Sequence, residues 1–156
     1  MMQRVEARLW MGLVLTAVGM FAADSQVGTW QYNAAKSKST SANPITKRTE
    51  VYEEMPDSAV KVTRTEQRAD GIALSYSYSF KYDGNEYPVP SGPYDRIALK
   101  RIDANTTSFE TRKVGTTYRT RAQIVVSKDG KSKIQTSEGT DAKGNHVVVT
   151  YVFDKQ

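Results

Sequence analysis

Residues 72–82, IALSYSYSFKY, alternate without a break. Ile72, Leu74, Tyr76, Tyr78, Phe80 and Tyr82 fall on one parity, and Ala73, Ser75, Ser77, Ser79 and Lys81 on the other. A period of two belongs to a β-strand, whose successive side chains point to opposite faces. The stretch therefore predicts a strand with one aromatic face and one face of small and hydroxyl side chains. At about 3.3 Å per residue it would run roughly 36 Å, a length that suits the tilted wall of a barrel.

The remaining chain follows the same grammar. Strand patterns fall at 28–33, 45–55, 59–68, 96–102, 107–114, 116–127, 132–140 and 146–154. Turn signals divide them at Pro56-Asp57-Ser58, Ala69-Asp70-Gly71, Asp83-Gly84-Asn85, 103–106, 128–131 and 141–145. Helical periodicity is not sustained anywhere in 24–156. Consecutive short hairpins make antiparallel sheet, because parallel pairs need long crossovers. A meander of such strands removes its unpaired edges by closing on itself. The expectation is an all-β, up-and-down antiparallel barrel of about eight strands with no substantial helix. An open sandwich is the alternative.

Residues 1–23 carry Arg4 and Arg8 ahead of the apolar run LWMGLVLTAVGMFAA. That is the pattern of a signal peptide cleaved after Ala22 or Ala23, which leaves a single domain at 24–156. A membrane anchor is the competing reading, but a span needs about 20 apolar residues. Export to the periplasm or the extracellular space is expected. The chain has no Cys, so disulfides, thiol chemistry and cysteine metal sites are excluded. The net charge of +5 is spread along the sequence without a basic run, which argues against a nucleic-acid face.

Gly28-Thr29-Trp30 opens the first strand. In that position the tripeptide resembles the G-x-W of the calycin barrels, namely lipocalins, avidins and fatty-acid-binding proteins. The resemblance implies that Trp30 plugs the closed end of a barrel, with Gly28 letting the strand enter tightly. It also implies a small-molecule site in the interior. The chain departs from each group. Residues 34–44 form a Ser/Lys-rich loop where fatty-acid-binding proteins carry a helical lid, and a strand pattern stands where typical lipocalins add a C-terminal helix. Trp30 is the only tryptophan in 24–156, whereas avidins place several around biotin, so biotin is not the expected ligand. The chain looks like an exported bacterial lipocalin-like protein.

The aromatic face has two readings. As a cavity wall, Tyr76, Tyr78 and Phe80, joined by Tyr118 and Tyr151 from other strands, would supply apolar area and orienting hydroxyls. As a packed core, the same residues would simply fill an eight-stranded barrel. Val60 and Val62 share a parity with Arg64 and Glu66, so this face turns from apolar to charged. The simpler expectation is that the strand emerges into solvent or bulges there; a charged barrel mouth is the alternative. A lipid-facing barrel is excluded because 107–114 and 132–140 lack an outward apolar band.

For catalysis the sequence offers little. His146 is the only histidine, and no metal ligand set, cofactor motif or nucleophilic triad can be assembled around it. Glu50, Glu53, Glu54, Glu66, Glu86 and Asp95 read as solvated carboxylates. The proline-rich segment 86–95 is either a mouth loop or an edge wrap. The expected function is non-catalytic binding of a small, partly apolar or aromatic ligand inside the barrel. The alternative is a filled barrel that meets a protein partner through 86–95 or its basic strands.

Overall fold

The computed structural model describes residues 23–156; the expected signal segment lies, but for Ala23, outside the described residues. Eleven strands follow one another: β1 (Gly28–Tyr32), β2 (Lys38–Ser39), β3 (Ile45–Glu54), β4 (Val60–Arg68), β5 (Ala73–Phe80), β6 (Asp83–Pro88), β7 (Arg96–Arg101), β8 (Thr106–Arg112), β9 (Arg119–Val126), β10 (Ser132–Thr140) and β11 (His146–Lys155). Two single-turn 3₁₀ helices, Ala34–Lys36 and Pro56–Ser58, are the only helical elements described.

All ladders are antiparallel, in the order β5-β4-β3-β1-β11-β10-β9-β8-β7-β6, with β2 paired to β11. The first and last strands of this path, β5 and β6, are neighbours in sequence and lie against each other. The sheet is thus a nearly closed barrel with one seam. Ten strands form the wall rather than eight. Nine of them are the alternating runs of the sequence, and the tenth is β6, a short edge strand that the prolines permit because edge positions need fewer backbone donors.

Asp83-Gly84-Asn85 does not turn a hairpin. It starts β6, whose partner is β7, with a register irregularity between Asp83 and Glu86. Side chains fill the seam in place of backbone hydrogen bonds. Phe80 meets Tyr82 edge-on at 5.1 Å, and Tyr76 meets Tyr94 edge-on at 6.3 Å. Val89 and Tyr94, from the proline segment, are buried there. Segment 86–95 is therefore an edge strand that runs into an inward-turned loop.

The inward faces carry the core: Trp30, Tyr52, Val60, Val62, Tyr76, Tyr78, Phe80, Ile97, Leu99, Phe109, Ile124, Val126, Val149, Tyr151 and Phe153 are all buried. The outward parity of β5, Ala73, Ser75, Ser77 and Ser79, is exposed. Two glycines answer to close approach. At Gly139 a Cβ would stand 2.0 Å from the Arg119 carbonyl oxygen of β9, and at Gly28, where φ is +123°, it would meet Lys155 Cε at 2.7 Å.

Candidate functional site: an arginine- and tyrosine-lined cavity

The sequence repeats one tripeptide, Arg-Thr-Glu, at 48–50 and 64–66. Antiparallel pairing of β3 with β4 sets the two copies against each other, Arg48 opposite Glu66 and Glu50 opposite Arg64. The central threonines point away, so all four charged side chains turn inward and are buried. The β4–β5 ladder runs from Val60 to Gln67 without a shift. Arg64 and Glu66 therefore stay on the face begun by Val60 and Val62, which overturns the expectation of a strand leaving for solvent. The bulge lies instead in β3, between Ile45 and Lys47.

Glu66 holds two cations and Glu50 three. Glu66 Oε2 accepts from Arg48 Nε at 3.0 Å and Nη2 at 2.6 Å, while its Oε1 accepts from Arg68 Nε at 3.2 Å and Nη2 at 2.8 Å. Glu50 Oε2 accepts from Lys133 Nζ at 2.6 Å, and its Oε1 lies 3.0 Å from Arg64 Nε and 3.6 Å from Arg48 Nη1. Burial works against the charge on Glu50, yet Arg64, Lys133 and Arg48 outweigh it and hold its carboxyl down at about 2. Glu66 is opposed by burial in the same way, and Arg48 and Arg68 bring it below the ordinary carboxylate range. Both glutamates, expected as surface residues, are internal counter-ions held ionised.

Lys133 occupies a cage of rings at the closed end. Its Nζ lies 4.2 Å from the Tyr52 ring centroid, 4.8 Å from Phe153 and 4.9 Å from Trp30. Burial lowers its pKa to about 8, with Glu50 opposing and Arg64 and Arg48 adding to the fall. Trp30 is fully buried at this end and donates from Nε1 to the Gln26 carbonyl at 2.7 Å.

Toward the other end the barrel opens into a cavity of about 150 Å³. Its wall presents Arg48, Arg64 and Arg68 together with Tyr94, Tyr118 and Tyr151, and its rim includes Ser41, Pro93 and Asp141. Arg64 Nη1 donates to Tyr94 Oη at 2.8 Å, and the Arg48 guanidinium lies 5.4 Å from the Tyr151 ring centroid. Burial pushes the Tyr94, Tyr118 and Tyr151 phenols above their ordinary value. Gln135 Oε1, on the same wall, is buried without a hydrogen-bond partner. Arginine forks, phenols and an amide around a small volume can hold a planar ligand that carries polar atoms.

Of the residues singled out in the sequence, Tyr118 and Tyr151 line this cavity. Tyr76, Tyr78 and Phe80 are not among its lining; they are buried in a row along β5, Tyr76 stacked on Tyr78 at 6.3 Å and Tyr78 tilted on Phe80 at 6.0 Å. Arg48, Arg68, Lys133 and Gln135 escaped the sequence reading, and Tyr94 entered it only as part of segment 86–95. The repeated Arg-Thr-Glu was the available signal, since antiparallel strands bearing it pair opposite charges twice. His146 is exposed, with Nε2 2.9 Å from Glu138 Oε1. Among the described residues no cluster of His, Asp or Glu is placed to hold a metal ion, and no helix is long and apolar enough to cross a membrane.

No protein-family sequence model matches the chain, and no curated protein sequence does. Solved structures do match in fold. The fluorescent protein UnaG is 12% identical, with a TM-score of 0.58, over 86% of this chain and 100% of that one. The S-type phycobiliprotein lyase CPES from Guillardia theta is 9% identical, with a TM-score of 0.55, over 85% and 89%. The redesigned β-barrel mFAP1, bound to DFHBI, is 11% identical, with a TM-score of 0.50, over 86% and 100%. The chain shares with these structures an all-β, antiparallel, nearly closed barrel fold.

Proposed function

We propose that the chain is an exported, non-catalytic binding barrel that takes a small, partly apolar ligand into the cavity between Arg64, Tyr94, Tyr118 and Tyr151. The observation that carries this reading is the cavity itself. A volume of about 150 Å³ is left at the mouth of a barrel whose other end is filled by Trp30, Lys133 and Phe153. A cavity of about 150 Å³ in a protein core accommodates benzene, so a single-ring ligand is the right scale. DFHBI bound to mFAP1 supports the same use of such a barrel. The apolar run at 9–23 supports export.

Ligand binding to the folded state raises the melting temperature by mass action. Phenol, benzyl alcohol and indole should each raise it in a saturating, concentration-dependent way. In a Ser137→Phe chain, where a ring projects from β10 into the cavity, the rise should vanish. A rise of equal size in both chains would place binding elsewhere.

A further inference from the structure

We propose that the ligand of this cavity is a small organic anion, an aromatic or compact apolar body bearing one carboxylate or comparable acid group, received by Arg64 and Arg68. The inference rests on the binding reading above and adds the ligand's charge.

The interior holds four cations, Arg48, Arg64, Arg68 and Lys133, against two carboxylates, Glu50 and Glu66. Both oxygens of each carboxylate lie within ion-pair distance of these cations, although Glu50 Oε1 and Arg64 Nε make no hydrogen bond. Two positive charges stand in excess. Three of the four cations are on the cavity wall, while Glu50 and Glu66 are not; Asp141 at the rim is the acidic residue among the lining. Excess charge at a low-dielectric site raises the affinity for a ligand of opposite sign.

The arginines also keep donors to spare. Arg68 is tied to Glu66 through Nε and Nη2 only, and its side chain is 26% exposed. Arg64 spends Nη1 on a neutral acceptor, the Tyr94 hydroxyl. A ligand carboxylate makes a stronger, charge-assisted partner than a phenol oxygen. Binding therefore displaces or shares the Tyr94 contact, and the ligand's ring meets Tyr118 and Tyr151.

Benzoate and benzyl alcohol share a ring and nearly a shape but differ in charge, so the test is calorimetric titration of the full chain with each at neutral pH. Benzoate should bind about 10- to 100-fold more tightly, the range of a hydrogen bond to a charged group. Its advantage should shrink as salt is raised, and Arg68→Gln should bring the ratio of benzoate to benzyl alcohol affinity close to one, whatever it does to the two affinities together. Arg64→Gln should do the same, but it also unbalances Glu50, so Arg68, whose carboxylate partner is Glu66, carries the decision. Equal affinities for the two compounds would overturn the anion proposal and leave the cavity reading standing. If neither binds at millimolar concentration, both fall.

Discussion

Lys133 Nζ lies 2.6 Å from Glu50 Oε2, and both side chains are wholly buried. The two residues come from β10 and β3, which do not pair, so this contact spans the barrel interior. It anchors a charge relay in which Glu50 also faces Arg64 and Arg48. A buried ion pair is weak evidence of stability, but removing one partner is costly because the other charge is stranded.

The cost should be asymmetric. Glu50→Gln strands Lys133 and Arg64, while Arg48 keeps Glu66, and a loss of about 3–5 kcal/mol is expected. Lys133→Met leaves Glu50 with two arginines and keeps the cage of Trp30, Tyr52 and Phe153 filled, so it should cost less. Urea unfolding of the two variants checks the order. Equal or reversed losses would show that the relay is not centred on Glu50.

Acid should unfold the chain through the same carboxylates. Glu50 falls from 4.5 to about 2 in the folded state, so its contribution is complete above pH 4.5 and is lost as pH falls through about 2. Glu66 is lowered as well and acts in the same direction. Unfolding free energies between pH 6 and 2 should drop steeply in this window, and the drop should be shallower in Glu50→Gln.

At alkaline pH the sign comes from Lys133. Its folded value of about 8 lies below the ordinary 10.5, so the unfolded chain binds more protons between them and stability rises with pH. Relative to Lys133→Met, the natural chain should gain stability from pH 8 to pH 10. A flat difference would mean that Lys133 titrates like an exposed lysine.

The strands of this fold were legible because their signal is local. β3, β4, β8, β9, β10 and β11 lie within a few residues of the alternating runs, and β5 is the run that alternates most regularly. The seam was not legible. An Asp-Gly-Asn after a strand reads as a hairpin, and nothing local says that β5 and β6 stand at opposite ends of the ladder order. Arg48 was hidden for a related reason. The bulge between Ile45 and Lys47 changes the parity of β3, so simple alternation puts Ile45 and Val51 inward together and Arg48 outward. Tyr94 could not be placed because its loop folds back over Tyr76, a contact set by tertiary packing.

Trp30→Ala should cost about 3–5 kcal/mol, as for other large aromatic deletions in cores. It would open the cage around Lys133 and leave the Gln26 carbonyl without its donor. A melting temperature unchanged by this substitution would rule out Trp30 as the plug of the closed end.

Tyr94→Phe separates the hydroxyl from the ring. Arg64 Nη1 loses its acceptor at 2.8 Å, with an expected cost of about 1–3 kcal/mol for a buried donor left unpaired. Tyr94→Ala should cost more, since the ring closes the seam against Tyr76. Chemical denaturation of both variants gives the comparison.

The most direct test of the binding reading is an NMR titration of isotope-labelled chain with benzyl alcohol, run on the natural sequence and on Ser137→Phe. The account predicts saturable shifts centred on Thr111, Tyr118 and Val149, residues of the cavity wall, and their loss in the filled variant. Shifts that never saturate, or that survive Ser137→Phe unchanged, would contradict it.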